Sequence, residues 1–182
     1  MFGNMKVKTV KLLAWMCIGI FLVAMTICIG IKLPKPMLKI TVDKGTIGFL
    51  PAGTNYYIVY DNGAVKKTKN FIPAKVEDYN FFPKQSIEDS VVLHGIDINT
   101  PEGEYLNEIA KNILFLTDEP KLNIVSVAWL FVLGERYFFE ALYDENMRIS
   151  KLFEYNVDDN SIQEVASVKR GSINHVELYE PQ

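Results

Sequence analysis

The sequence predicts an α+β protein: an N-terminal transmembrane helix, then a mostly antiparallel β-sheet with a C-terminal meander and one main helix packed on it. Three observations predict this class. An apolar run without charged residues occupies residues 12–31, and a segment with helical spacing of apolar residues follows Thr100. From residue 122 onward, short apolar segments are separated by turn-forming residues, which is typical of consecutive antiparallel strands.

The apolar run has the length and composition of a membrane-spanning helix. Its twenty residues rise about 30 Å as a helix, which matches the hydrocarbon core of a bilayer. A cleaved signal peptide has a shorter apolar region and a small-residue cleavage site, which this segment lacks. We therefore predict an uncleaved anchor, with cleavage, or lipidation at Cys28, as the alternatives. The anchoring residues include Leu12, Trp15, Phe21 and Ile31.

The distribution of charge favours a domain outside the cytoplasm. Lysines flank the anchor on both sides, so the positive-inside rule alone gives a weak preference. Five of the 19 Lys and Arg precede Pro36, whereas all 22 Asp and Glu follow it, which leaves 14 basic against 22 acidic residues from Pro36 onward. We predict a basic cytoplasmic tail (residues 1–11), the anchor, a Pro-containing stalk (32–37) and an extracytoplasmic domain (38–182) at the cell membrane.

Composition also limits the chemistry of the domain. An acidic domain is poorly suited to nucleic acid, because binding nucleic acid needs Lys and Arg to neutralise phosphates. Both cysteines, Cys17 and Cys28, lie in the predicted anchor, so the domain has no disulfide, no cysteine-based zinc site and no thiol nucleophile. We expect neither a metal nor any other cofactor.

Short strands are predicted in the first half of the domain, where β-branched and aromatic residues lie between turn formers. Asn62 and Gly63 predict a type I′ hairpin turn, because both residue types tolerate positive φ. Lys66, Lys67 and Lys69 are typical of an exposed edge strand, with an anion-binding patch as the alternative. The predicted strands are residues 38–42, 46–50, 55–60, 64–68 and 91–98.

Residues 71–83 predict a loop, because Pro73 and Pro83 interrupt the segment. Tyr79, Phe81 and Phe82 lie within it. These aromatic side chains either pack the loop onto the core or form an exposed surface for a partner.

The segment after Thr100 predicts the main helix of the domain. Thr100 is a favourable N-cap, and Pro101 is favourable at the first helical position. Apolar residues recur at helical spacing, so we expect this helix to lie across the sheet and to end near Asp118. Its apolar face consists of Leu106, Ile109, Ala110, Ile113 and Leu116.

The last third of the sequence predicts the antiparallel meander. Residues 122–133 are apolar on both faces, which indicates a strand in the middle of a covered sheet. The remaining predicted strands are residues 136–143, 149–157, 162–169 and 173–179. The stretch LFEYNVDDNSIQEV at 152–165 resembles the hairpin of a β-propeller blade. This resemblance covers about fourteen residues and implies a hairpin only, since the domain is too short for four blades.

No sequence motif identifies an enzyme. His94 and His175 are far apart, and the G-x-S-x-G, P-loop and G-x-G-x-x-G patterns are absent. Glu135, Glu140 and Glu154 would act as a hydrolase pair only if two of them faced each other in a groove. We therefore predict no catalytic, cofactor-binding or metal-binding residue.

The sequence favours a non-catalytic binding protein at the outer face of the membrane, held in the bilayer by its N-terminal helix and binding a protein partner. The architecture resembles that of anchored bacterial immunity proteins, which implies a toxin as the partner, although no residue motif is shared. A small-ligand sensor or a carboxylate-dependent hydrolase at the cell envelope is the alternative. The predicted partner-binding residues are Tyr79, Phe81, Phe82, Tyr137, Phe139 and Glu140.

Overall fold

The computed structural model describes residues 15–16, 33–47, 50–51, 53–82, 91–143 and 149–181. The chain divides between Pro34 and Lys35 into two units, and the second unit carries the fold described below. Its first strand begins at Pro36, inside the segment predicted as a stalk.

Most of the predicted anchor lies outside the described residues. Trp15 and Met16 are described, and both are helical and exposed. Leu12, Phe21 and Ile31 are not described. Within the described ranges no helix combines the length and the apolar character that crossing a bilayer requires. The membrane anchor therefore stays a prediction.

The second unit contains short strands on either side of one long helix, among the residues described. The helices and strands are β1 (Pro36–Asp43), β2 (Thr46–Ile47), β3 (Leu50–Pro51), β4 (Thr54–Tyr60), β5 (Val65–Lys67), β6 (Glu77–Phe81), β7 (Leu93–His94), α1 (Pro101–Thr117), a 3₁₀ turn (Pro120–Leu122), β8 (Ser126–Leu133), β9 (Arg136–Leu142), β10 (Ile149–Asn156), β11 (Ser161–Lys169) and β12 (Ser172–Leu178).

In this part of the chain the strands form two main sheets. A six-stranded sheet has the order β11-β10-β9-β8-β6-β7, and a four-stranded sheet has the order β12-β1-β4-β5. The paired strands are antiparallel, so the predicted α+β class with mostly antiparallel strands is confirmed. The prediction of a single sheet was wrong, because β12 leaves the meander after β11 and pairs with β1 instead.

The chain changes sheet at Arg170 and Gly171, which have φ angles of 61° and 150°. A Cβ atom on Gly171 would lie 2.5 Å from the backbone oxygen of Asp43 and 2.6 Å from Cγ1 of Val42. A glycine is therefore required here, both by the positive φ and by the close approach of β1. The crossing could not be predicted from the local pattern, which is compatible with a simple continuation of the meander.

The six-stranded sheet is covered on both faces, so the domain has three layers. One face packs against the four-stranded sheet, where Ile40 of β1 and Phe138 of β9 share an apolar core. The other face packs against α1, where Ile113 and Phe139 share a second core. Since neighbouring strand residues point to opposite faces, β9 is buried along almost its whole length. Because both faces of the sheet are covered, β9 lacks the alternation of apolar and polar residues that a half-exposed strand shows.

Helix α1 matches its prediction closely. The Thr100 side chain caps it by accepting a hydrogen bond from the Gly103 nitrogen at 3.1 Å. Pro101 is its first residue, and Asp118 is its C-cap. The apolar face is buried against the six-stranded sheet, as expected for a helix lying across a sheet.

The predicted turn at residues 62–63 exists, with a different conformation. Gly63 takes a positive φ of 78°, and Asn62 does not. The Gly63 nitrogen donates to the Tyr60 oxygen at 2.9 Å, and the Ala64 nitrogen donates to Oδ1 of Asn62 at 3.1 Å. This geometry is that of a three-residue hairpin loop, in which the last residue alone needs to be glycine. The following strand β5 is a sheet edge with exposed Lys66 and Lys67, as predicted.

Two segments between β5 and α1 differ from their predictions. Residues predicted as a loop form β6, which pairs with β8. The strand predicted over residues 91–98 is reduced to β7, which pairs with the end of β6. Similarly, the predicted strand 46–50 divides into β2 and β3, which pair with each other. In each case the pairing partner, rather than local propensity, determines which residues are extended.

Candidate functional site

Two grooves open at the end of the domain where α1 begins. We call residues 71–76, which run from β5 toward β6, the strap. The strap groove, about 770 Å³, lies between the strap, the start of α1, the β8–β9 turn and the end of β12. The turn groove, about 800 Å³, lies between the β8–β9 turn, the end of β10 and the β10–β11 turn.

The two grooves meet at Tyr105 of α1 and Tyr137 of β9, which line both of them. We call this pair the tyrosine ridge. The rings meet edge to face, with centroids 6.4 Å apart and an interplanar angle of 71°. Tyr137 is 8% exposed and Tyr105 is 46% exposed. Tyr105 is therefore the solvent-exposed side chain of the ridge, and it packs against the buried ring of Tyr137.

The Tyr137 hydroxyl is held in its neutral form. Burial raises the pKa of Tyr137 to about 12, and a hydrogen bond with Tyr105 and the nearby charge of Glu135 act in the same direction. At physiological pH the Tyr137 side chain is thus uncharged, and its hydroxyl group can donate or accept a hydrogen bond.

The strap groove combines exposed apolar side chains with carboxylates. Ile72 of the strap is 95% exposed and Leu178 of β12 is 44% exposed. Three carboxylates line the same groove, and none of them has an ion-pair partner among the described residues: Glu77, Glu102 and Glu180.

The strap is fixed to the four-stranded sheet by Glu177 of β12. Its carboxylate accepts hydrogen bonds from the Ala74 nitrogen at 2.6 Å and from Nζ of Lys39 at 3.0 Å, and it lies 3.2 Å from Nε2 of His175. Burial alone would raise the pKa of Glu177, but these hydrogen bonds outweigh burial and lower it. Nζ of Lys39 also lies 5.4 Å from the centroid of the Phe71 ring. One wall of the strap groove is therefore held in place by several polar contacts.

The turn groove is more polar. Arg136 binds Glu154 through two hydrogen bonds, Nε to Oε1 at 2.7 Å and Nη2 to Oε2 at 3.0 Å. The carboxylates of Glu135, Asp158 and Asp159 line the same groove without an ion-pair partner in the described part of the chain.

The predicted partner-binding residues do not lie on one exposed surface. Phe81, Phe139 and Tyr137 are 5%, 0% and 8% exposed, and they belong to the core beneath α1. Tyr79 is half-buried on β6, and the half-buried Phe82 ring lies 5.0 Å from the His94 ring. Of these residues, Tyr137 lines the two grooves.

Glu140, the sixth residue of that set, is 0% exposed. It lies between the two sheets. Its carboxylate accepts hydrogen bonds from the Ser150 hydroxyl, the Ser172 hydroxyl and the Ile173 nitrogen. Glu135 and Glu154, its partners in the hydrolase alternative, line the turn groove instead. Among the described residues, no group of three or more His, Cys, Asp or Glu side chains is placed to hold a metal ion.

The predicted partner-binding residues do not include three exposed side chains at or beside the ridge: Tyr105, Ile72 and Leu178. Tyr105 directly precedes Leu106, the first residue of the α1 apolar face, and therefore lies outside that face. Its exposure could have been predicted from this position. Ile72 and Leu178 come from distant segments, and the tertiary structure alone brings them to the same groove.

Comparisons with protein-family models, with curated proteins and with solved structures give no match for this chain.

Proposed function

We propose that this chain is a non-catalytic binding protein, anchored in the membrane by its N-terminal segment, whose domain outside the cytoplasm holds a protein partner at the tyrosine ridge. The observation that carries the proposal is the placement of Tyr105. It is an exposed aromatic side chain, supported by a buried one, with a groove on each side. Aromatic side chains near the centre of a concave surface contribute most of the binding energy in many protein interfaces.

The more specific proposal is an immunity-type protein that neutralises a toxin by direct binding. Two features support it. The predicted anchor would hold the domain where a toxin meets the cell envelope, and the acidic domain would attract a basic partner over a distance. Such a protein acts by forming a stoichiometric complex, and its association rate should fall as the salt concentration rises.

Site-specific photo-crosslinking in cells tests the proposal. A photoreactive amino acid would replace Tyr105 in the full-length chain, and Phe115 would be replaced in a matched control. Phe115 is 68% exposed on the same helix and lines neither groove. We expect one protein to be crosslinked from position 105 and not from position 115, and mass spectrometry would identify it.

Two results would count against the proposal. A complete lack of adducts from position 105 would remove support for a protein partner at the ridge. Equal labelling from both positions would mean that the helix is contacted nonspecifically. An accompanying protease-protection measurement on intact cells would test whether the domain lies outside the cytoplasm.

A further inference from the structure

We infer that the tyrosine ridge recognises a basic protein segment, in which one aromatic or aliphatic side chain lies between Lys or Arg residues. This inference rests on the proposed function, and it adds the chemistry of the partner. Three features of the surface support it: the charges around the ridge, the exposed apolar side chains, and the fixed position of the strap.

The two grooves are lined by eight acidic and three basic side chains among the residues described. Two of the basic side chains are already paired: Lys39 with Glu177 at 3.0 Å, and Arg136 with Glu154 at 2.7 Å. Lys75 is the remaining basic residue of this lining. The surface therefore has an excess of unpaired negative charge that a basic partner would neutralise.

The unpaired carboxylates lie on both sides of the ridge rather than in one cluster. Three of them line the strap groove and three line the turn groove: Glu77, Glu102 and Glu180, and Glu135, Asp158 and Asp159. A segment that crosses the ridge would thus meet negative charge before and after it. This arrangement favours basic residues on both sides of a central side chain.

The centre of the surface is apolar. Tyr105 presents its ring at the ridge, and the exposed Ile72 and Leu178 line the strap groove beside it. Exposed apolar groups of this size gain free energy when a partner covers them, roughly 25 cal/mol for each Å² buried. A central aromatic or aliphatic side chain in the partner would supply that contact, and charged residues alone would not.

The strap does not need to move to create this surface. Glu177 holds it through the Ala74 nitrogen at 2.6 Å, and Phe71 packs against Tyr56 with ring centroids 5.1 Å apart. A preformed surface loses less conformational entropy when it binds, which favours tighter binding of a segment that fits it.

Peptide binding to the full-length chain in nanodiscs of neutral phosphatidylcholine tests this inference. The probe is a fluorescent peptide of about ten residues, which spans roughly 30 Å when extended, with lysines on both sides of one tryptophan. Two comparison peptides are measured beside it: one with alanine in place of the tryptophan, and one with glutamates in place of the lysines. Fluorescence anisotropy gives each Kd.

We expect the basic peptide with tryptophan to bind most tightly and the acidic peptide not to bind. The ridge variant carries Glu135→Lys and Glu180→Lys, and it should weaken binding by about tenfold or more, equivalent to about 1.4 kcal/mol. The matched control carries Glu108→Lys and Glu119→Lys, which make the same change in charge at exposed residues that line neither groove. Tyr105→Ala should weaken binding of the tryptophan peptide more than binding of the alanine peptide.

Three results would overturn the inference: no binding of the basic peptide, equal weakening by the ridge variant and its control, or tighter binding of the acidic peptide. Melting curves of the variants would show whether each remains folded. These results are separable from those for the proposed function. A protein crosslinked from position 105 together with a failed basic peptide would leave the binding role intact and reject the basic partner.

Discussion

At the residue scale, Glu140 joins the two sheets close to the point where the chain changes sheet. The side chain is 0% exposed, yet its carboxylate accepts hydrogen bonds from Ser150 on β10 and from Ser172 and Ile173 on β12. Burial raises the pKa of Glu140, and the three hydrogen bonds partly oppose that rise. A buried polar group of this kind is tolerated because its partners satisfy it.

We predict that Glu140→Ala destabilises the domain by about 3 kcal/mol, because it leaves the Ile173 nitrogen without its acceptor in the interior. Glu140→Gln should cost less than about 1 kcal/mol, since the amide oxygen can accept from that nitrogen and a serine hydroxyl can accept from the amide. Urea unfolding at neutral pH measures both free energies. Similar stabilities for the two variants would contradict this account.

The Gln variant also gives a prediction for pH. Because the folded pKa of Glu140 is raised, its contribution to stability is full below the unfolded pKa and is lost as the pH rises through the folded pKa. Glutamine does not titrate. The free energy of unfolding of Glu140→Gln, relative to that of the unchanged protein, should therefore increase as the pH rises from below 4.5 toward neutrality. A pH-independent difference would contradict the raised pKa.

At the element scale, β12 is placed by its glycine turn. Gly171 combines a φ of 150° with the close approach of the Asp43 oxygen. Gly45 offers a comparison, because it has a φ of 73° and no atom within 4 Å of a built Cβ. A side chain at Gly171 would therefore meet both backbone strain and a steric clash, whereas one at Gly45 would meet backbone strain alone.

We predict that Gly171→Ala destabilises the domain by about 2–4 kcal/mol, through both strain and the clash with β1. Gly45→Ala should cost roughly 1 kcal/mol, because strain alone acts there. Thermal unfolding followed by circular dichroism would compare the two variants. Equal losses of stability in the two variants would mean that β1 can move away from residue 171 at little cost in free energy.

Elements with local signals were predictable, and elements set by distant partners were not. The Thr100 cap and the helical spacing of apolar residues predicted α1. The turn-forming residues between short apolar segments predicted β9, β10 and β11. In contrast, β6 is a strand because it lies beside β8. The tyrosine ridge has the same origin, since Tyr105 and Tyr137 come from elements that meet only after folding.

At the scale of the whole molecule, the first and last strands of the domain pair with each other. β1 pairs with β12 on one side and with β4 on the other, and the Tyr179 nitrogen donates to the Met37 oxygen at 2.9 Å. Ile173 and Val176 of β12 belong to the core between the sheets. Burying two such side chains contributes roughly 3–6 kcal/mol, which is a large part of the stability of a small domain.

We predict that a chain beginning at Lys35 folds without the N-terminal unit, whereas the same chain ending at Arg170 does not. The longer form keeps both apolar cores, and the shorter form loses β12 and leaves β1 with an uncovered edge. Gel filtration and thermal unfolding would show a cooperative transition for the longer form alone. A cooperative transition in the shorter form would mean that β12 is dispensable.

The double coverage of the six-stranded sheet also has a consequence for how such a protein can evolve. Substitutions on either face of β9 disturb a packed core, so the central sheet offers little freedom for acquiring a new partner. The segments around the ridge are different: the strap, the β8–β9 turn and the β10–β11 turn are exposed over most of their length. In a lineage exposed to changing partners, selection would therefore act mainly on these three short segments, and a change of specificity would require few substitutions and little loss of stability.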